Sequence, residues 1–180
     1  MISPSATSPA LSTIADNGYF FRTAPSDARQ GQVLAQITME RGINEVAVTF
    51  TNNDYGKGLS DSFINAYQGL GGKVSAIVPH DEGKADYSAE VGALDASGAE
   101  VLAVFGYVDQ GGRHIIQGSI DSGAFDKFIL ADGMFGDSLL ANVDGDLSGT
   151  FGTVPGTDSK GADRFAAMAK TAGIKVGGPF

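Results

Sequence analysis

The sequence contains no cysteine and only two histidines, His80 and His114. Without thiols there is no disulfide framework, no thiolate zinc site and no cysteine nucleophile, and two histidines are too few for a histidine-rich metal centre. Positive charge is scarce too. Twelve Lys and Arg stand against 21 Asp and Glu, a formal net charge of -9. That argues against a nucleic-acid binder, which needs a basic patch to displace counterions from phosphates, and against adhesion to an anionic membrane surface. No apolar run approaches the roughly 18 residues of a membrane span. The opening Met1-Ile2-Ser3-Pro4 has neither the basic nor the apolar region of a signal peptide.

What is present is a globular composition. The chain has 180 residues, 42% of them apolar, enough for one domain and a little more with a sizeable core. Its 26 glycines suit a fold with many tight strand–helix junctions. Ser3–Ser8 reads as a hydroxyl-rich loop, Pro9–Ala15 as a short helix capped by Ser8, and Tyr19–Thr23 as a short β-prone run. Arg29–Arg41 has helical spacing, with Gly42 as its stop. An alternation then sets in. Strands are predicted over Glu45–Thr51, Lys73–Pro79, Glu100–Phe105, Lys127–Ala131 and Gly149–Val154. Helices are predicted over Leu59–Leu70, Asp86–Ala96, Gly111–Ser122, Ser138–Val143 and Arg164–Ala172, with Pro155–Gly161 as a linker. The chain closes on Gly177-Gly178-Pro179-Phe180, a poor end for a packed domain. Such alternation implies an α/β fold, a doubly wound and mainly parallel sheet with helices on both faces. Ligands in these folds sit at the carboxyl ends of the strands. Attention therefore falls on Asn52–Gly58, Gly106–Gly112 and Asp132–Asp137.

Enzyme motifs fail in turn. Gly56-Lys57-Gly58 lacks the spacing and the hydroxyl of a phosphate-cradling loop, and Gly106–Gly112 is not the dinucleotide fingerprint. There is no nucleophile elbow. His80, beside Asp81 and Glu82, reads as part of a solvated turn, and His114 as a helix-surface residue. Asp121, Asp126, Asp144 and Asp146 read as turn and cap residues. No cofactor or metal site is expected. A different grouping remains. Ser5, Ala6 and Thr7 offer hydroxyls and free backbone groups, Tyr55 and Tyr107 follow the first and third long strands, and Asp132 follows the fourth. Singly these are packing, turn and cap residues. Together on the loop face they suit a small zwitterion, whose ammonium takes the aspartate and a ring face and whose carboxylate takes N–H groups and hydroxyls.

The runs MISPSATSP, YFFRTAPSDARQG, VAVTFTNNDYGKG, KADYSAEV, VFGYVDQGG and FILADGMFGD, in this order over nearly the whole chain, resemble the branched-chain amino-acid binding-protein family. These are periplasmic solute receptors of ABC importers with a two-lobed type I fold, and the resemblance implies a periplasmic-binding-protein-like lobe here. By resemblance, Ser5-Ala6-Thr7 matches the loop that holds the ligand's α-carboxylate and α-ammonium. Tyr55 matches the aromatic that covers the ligand from the second lobe, Tyr107 falls in the aromatic-bearing loop, and Asp132 matches the acid for the α-ammonium. The family often has glutamate at that last position, so the shorter acid is a departure that calls for a closer ligand or a bridging water.

The resemblance also implies a chain incomplete at both ends, since the family's receptors are roughly twice this length. Residues 1–23 are then a fragment of the first lobe and crossover, 24–155 the second lobe, and 156–180 a crossover and a further fragment of the first. The implied function is the extracytoplasmic, periplasmic solute-binding component of an ABC transporter for an amino acid or similar small polar molecule. Its partners would be the transporter's membrane domains, and no bond is made or broken. A lobe with fragments of the other is expected to bind weakly. Tyr19, Phe20, Phe21, Phe165 and Met168, without partners, are expected to drive self-association. Two other readings stay open: a ligand-sensing domain of a signalling or regulatory receptor with the same fold, and an enzyme of flavodoxin-like architecture, which lacks any nucleophile–base pair.

Overall fold

A computed structural model describes residues 1–156 and 160–174. Two short parallel strands, β1 (Ile2–Ser3) and β2 (Phe21–Arg22), pair across a loop that holds a single 3-10 turn at Pro9–Ser12. Helix α1 (Asp27–Glu40) starts where the Ser26 hydroxyl accepts from the Ala28 amide. It stops before Gly42, whose φ of 77° few other residues tolerate.

The main sheet contains β3 (Glu45–Thr51), β4 (Lys73–His80), β5 (Leu102–Phe105), β6 (Phe128–Leu130) and β7 (Phe151–Gly152), all parallel, in the order β4-β3-β5-β6-β7. Between and after the strands run α2 (Asp54–Gly69), α3 (Ser88–Asp95), α4 (Gly112–Ser122), α5 (Asp137–Asn142) and α6 (Lys160–Thr171). The period-two pleat sends neighbouring residues to opposite faces and so builds two cores. On one face Val48, Ala103, Phe105 and Ile129 pack under Leu34 of α1 and Phe63 and Tyr67 of α2. On the other, Leu102, Val104 and Phe128 pack under Leu94 of α3 and Ile115 and Ile116 of α4. Each fully buried Leu, Ile or Phe contributes roughly 1.5–3 kcal/mol to this layering. The expected doubly wound architecture is the observed one.

Several element expectations are corrected. Helix α2 begins at Asp54, five residues before the predicted start. Asn53 caps it, its Oδ1 accepting from the Gly56 amide at 2.9 Å. The glycines that suggested a loop serve close approach: a Cβ on Gly56 would lie 2.2 Å from the Thr51 carbonyl oxygen. Tyr55 therefore stands on the first turn of a helix. The helix predicted at Pro9–Ala15 is only the short turn, and β7 is two residues long. The last helix begins at Lys160, earlier than Arg164. Residues 157–159 of the predicted linker and the terminal Gly177–Phe180 lie outside the described residues.

His80 is the largest local departure. It is fully buried, with Nδ1 2.8 Å from the Thr49 hydroxyl and Nε2 3.1 Å from the Thr51 hydroxyl. β4 runs one residue past Pro79, and the pleat turns that last side chain inward. Burial pushes the imidazole down to about 4. His114 is exposed, as expected, and stacks on Tyr87 with ring centroids 5.7 Å apart.

Candidate functional site

In the order β4-β3-β5-β6-β7 the topological switch point falls between β3 and β5, because the chain leaves β3 towards β4 on one side and reaches β5 on the other. The carboxyl ends of β3, β5 and β6 meet there. Two glycines allow the approach. A Cβ on Gly106 would lie 2.0 Å from the Thr51 hydroxyl oxygen, and one on Gly133 would lie 2.3 Å from the Gly106 carbonyl oxygen.

The side chains after these strands form one cluster. The Tyr55 hydroxyl donates to Asp132 Oδ1 at 2.8 Å and accepts from the Gly133 amide at 3.2 Å. The Tyr55 and Tyr107 rings lie 4.8 Å apart between centroids, tilted by 31°. Burial, and then the Asp132 charge, hold the Tyr55 phenol well above its ordinary range, so it stays a donor. Burial, followed by Asp132, also raises Tyr107, which remains 41% exposed.

The hydroxyl loop closes the other side. Ser3 Oγ accepts from the amides of Ala6 at 3.0 Å and Ser5 at 3.4 Å. The Arg22 guanidinium donates to the carbonyls of Ser8 at 2.7 Å and Ala6 at 3.4 Å, and to the Ser12 hydroxyl. The result is a groove of about 810 Å³ lined by Ser5, Ala6, Thr7, Tyr55 and Tyr107, together with residues of the Pro9–Ser12 turn and the outer face of α2. Five of the six residues singled out in the sequence line this groove. Asp132 does not; it is nearly buried behind Tyr55 and joined to the groove through that residue's hydroxyl.

Two further residues belong to the cluster, and the sequence reading passed over both. Asp27 is fully buried, its amide donates to the Thr7 carbonyl at 3.0 Å, and among the described residues neither of its carboxylate oxygens accepts a hydrogen bond. Burial pushes it up to about 6. The nearby Thr7 hydroxyl and Arg22 only partly offset this, and the Asp132 charge adds to it. Gln30, one turn further along α1, donates to Asp132 Oδ1 at 2.8 Å and to the Thr153 carbonyl at 3.0 Å. In sequence both read as ordinary first-turn residues after the Ser26 cap, and no local signal marks them out. Among the described residues no three His, Cys, Asp or Glu side chains converge as a metal site would require.

A parallel α/β lobe with a polar cluster at its switch point, facing a loop from a second small sheet, is the architecture of a ligand-receptor lobe. The chain belongs to the periplasmic binding protein family, whose sequence profile matches residues 1–177. It is 30% identical over 174 residues to the Leu/Ile/Val-binding protein homolog 1 of Brucella abortus, a match covering 93% of this chain and 46% of that protein. It is 29% identical over 145 residues to an amino acid binding protein of Pseudomonas aeruginosa, covering 80% and 38% respectively. Among solved structures, a leucine binding protein from Thermotoga maritima superposes with a TM-score of 0.78 at 22% identity, covering 97% of this chain and 51% of that one. A solute binding protein of an ABC transporter from R. palustris, in complex with 4-hydroxybenzoate, superposes with a TM-score of 0.77 at 20% identity, covering 97% and 49%. The two structures share the fold, and the chain spans about half the length of the proteins it matches. None of these likenesses supports self-association.

Proposed function

We propose that these residues form most of one lobe of an extracytoplasmic receptor that captures an amino acid and delivers it to the membrane domains of an ABC importer. In this reading residues 24–155 are the second lobe, and 1–23 and 156–180 are crossovers and parts of the first. The protein binds and releases its ligand unchanged. The observation that carries the reading is the convergence of Ser5–Thr7, Tyr55, Tyr107 and the Asp27–Asp132 pair at one switch point. The Thr7 amide and the hydroxyls of Ser5 and Thr7 take the ligand carboxylate, while the Ser5 and Ala6 amides already donate to Ser3 Oγ and hold the loop in shape. Asp132 takes its ammonium, and the nearby buried Asp27 adds a second negative charge to the same end of the groove. Asp132 Oδ1 already has two donors, so Oδ2 is the atom left for the ligand. The tyrosine pair covers the aliphatic stem.

Two buried acids discriminate by charge. A ligand with a carboxylate and no ammonium leaves them uncompensated, which disfavours plain aromatic or aliphatic acids. The relatives named for leucine, isoleucine and valine make L-leucine the natural first probe. Calorimetry on the two-lobed protein is expected to give heat with an aliphatic amino acid and none with 4-methylpentanoate. Asp132→Asn is expected to weaken leucine binding by about 2–4 kcal/mol, the cost of removing one partner of a buried charge pair. Unchanged leucine affinity in that variant would remove Asp132 from the site.

A further inference from the structure

We infer that Gln30 is a positioning residue: it aims Asp132 at the ligand and ties that carboxylate to the chain leaving β7, so that the ammonium site and the exit strand adjust together. The inference rests on the proposed amino-acid site and adds a residue that touches no ligand. One amide nitrogen makes both bonds, to Asp132 Oδ1 at 2.8 Å and to the Thr153 carbonyl at 3.0 Å. The three segments it joins are far apart in sequence: the first turn of α1, the end of β6 and the residue after β7. The first and third of these lie within a few residues of the two ends of the proposed second lobe.

Among the described residues, Oδ1 of Asp132 accepts from two side chains, Gln30 and Tyr55. They approach from different helices, so together they fix the plane of the carboxylate and thereby the position of Oδ2. Removing Tyr55 would also remove the aromatic cover, whereas removing Gln30 leaves the groove lining intact. Among the described residues the buried Thr153 hydroxyl has no partner, while its amide donates to the Leu130 carbonyl at 3.3 Å, a long bond. The Gln30 amide is therefore a main tether of this stretch to β6 and α1. A displacement of the exit strand during lobe movement would be felt at Asp132 through a single side chain.

The test is a double-mutant cycle in the two-lobed protein. Gln30→Met preserves length and apolar packing and removes the donor. It is expected to weaken L-leucine binding by about ten- to a hundredfold, the range for losing a hydrogen bond to a charged group. On an Asp132→Ala background, which has no side-chain oxygen for Gln30 to bond, the same change is expected to have almost no further effect, because Gln30 acts through Asp132. Gln30→Asn keeps an amide that is too short to span both acceptors, and it serves should the Met variant fail to fold. A purely structural role would give equal losses on both backgrounds in step with lowered melting temperature, and that result would overturn the inference. Full affinity in both Gln30 variants would overturn it as well while leaving the receptor reading intact. A wild-type protein that binds no amino acid would remove the receptor reading, and this inference with it.

Discussion

An aspartate at the first position of a helix is normally solvated and favoured by the helix dipole. Asp27 has that position but is sealed from water, and among the described residues neither oxygen is bonded. Its carboxyl titrates at about 6, against an ordinary 3.8, so between those values the folded chain holds a proton that the unfolded chain lacks. Stability from this group therefore falls as pH rises through the window and stays reduced above about 6. His80 acts in the opposite sense. Pushed down to about 4 from 6.5, it binds its proton less readily when folded, and its contribution is lost as pH falls through that range. The two slopes oppose each other, and the wild type should be nearly flat between about pH 4 and 6. Asp27→Asn removes one of them. Urea unfolding should show the variant more stable than wild type at pH 7.5 by about 1–3 kcal/mol, with a steeper loss on acidification. Equal destabilisation at pH 5 and 7.5 would refute this account of Asp27.

The helix pair α1–α2 carries the proposed site on its first turns, and its spacing depends on one small residue. A Cβ on Gly31 would lie 2.6 Å from the Phe63 amide nitrogen and 2.8 Å from Ser62. Gly31→Ala should therefore cost about 1–3 kcal/mol, and it should weaken ligand binding because Asp27 and Gln30 shift with α1. Gly69, in the last turn of α2, has nothing within 4 Å of the corresponding position, and Gly69→Ala should gain about 0.5–1 kcal/mol without affecting binding. Thermal or urea unfolding of the two variants, with calorimetry on the two-lobed protein, checks both signs. At this scale the sequence was readable where the pattern was long. EVAVTFT at Glu45–Thr51 is a buried strand on sight, and Phe63 and Tyr67 mark the inward face of their helix. It misled at Asp54–Gly58, where glycines signalled a loop but were needed for contact with Thr51 and Pro9.

For the whole molecule, the shape of the site sets an expectation for affinity. A groove with Tyr107 41% exposed cannot by itself bury a small polar ligand from all sides. Tyr19, Phe21, Phe165 and Met168 also stand more than half exposed, as surfaces awaiting the remainder of the proposed first lobe would. Calorimetry with L-leucine on the 180-residue chain and on the two-lobed protein should differ by at least a hundredfold, since the second lobe adds both contacts and exclusion of water. Equal affinity in both would mean that this lobe alone forms the complete site.

From the order of residues alone came the alternation of strands and helices, and with it the parallel sheet. It also pointed to the strand ends as the place to look, and it singled out Ser5–Thr7, Tyr55, Tyr107 and Asp132 as candidate site residues. Periodicity and strand-end placement are local properties, written into short stretches of chain. Asp27, Gln30 and His80 were decided only by the tertiary structure. A first-turn aspartate, a helix glutamine and a histidine before two acids look ordinary in any sequence. They acquire roles because packing strips water from one carboxylate, brings an amide within 2.8 Å of an acid 102 residues away, and clasps an imidazole between two threonines.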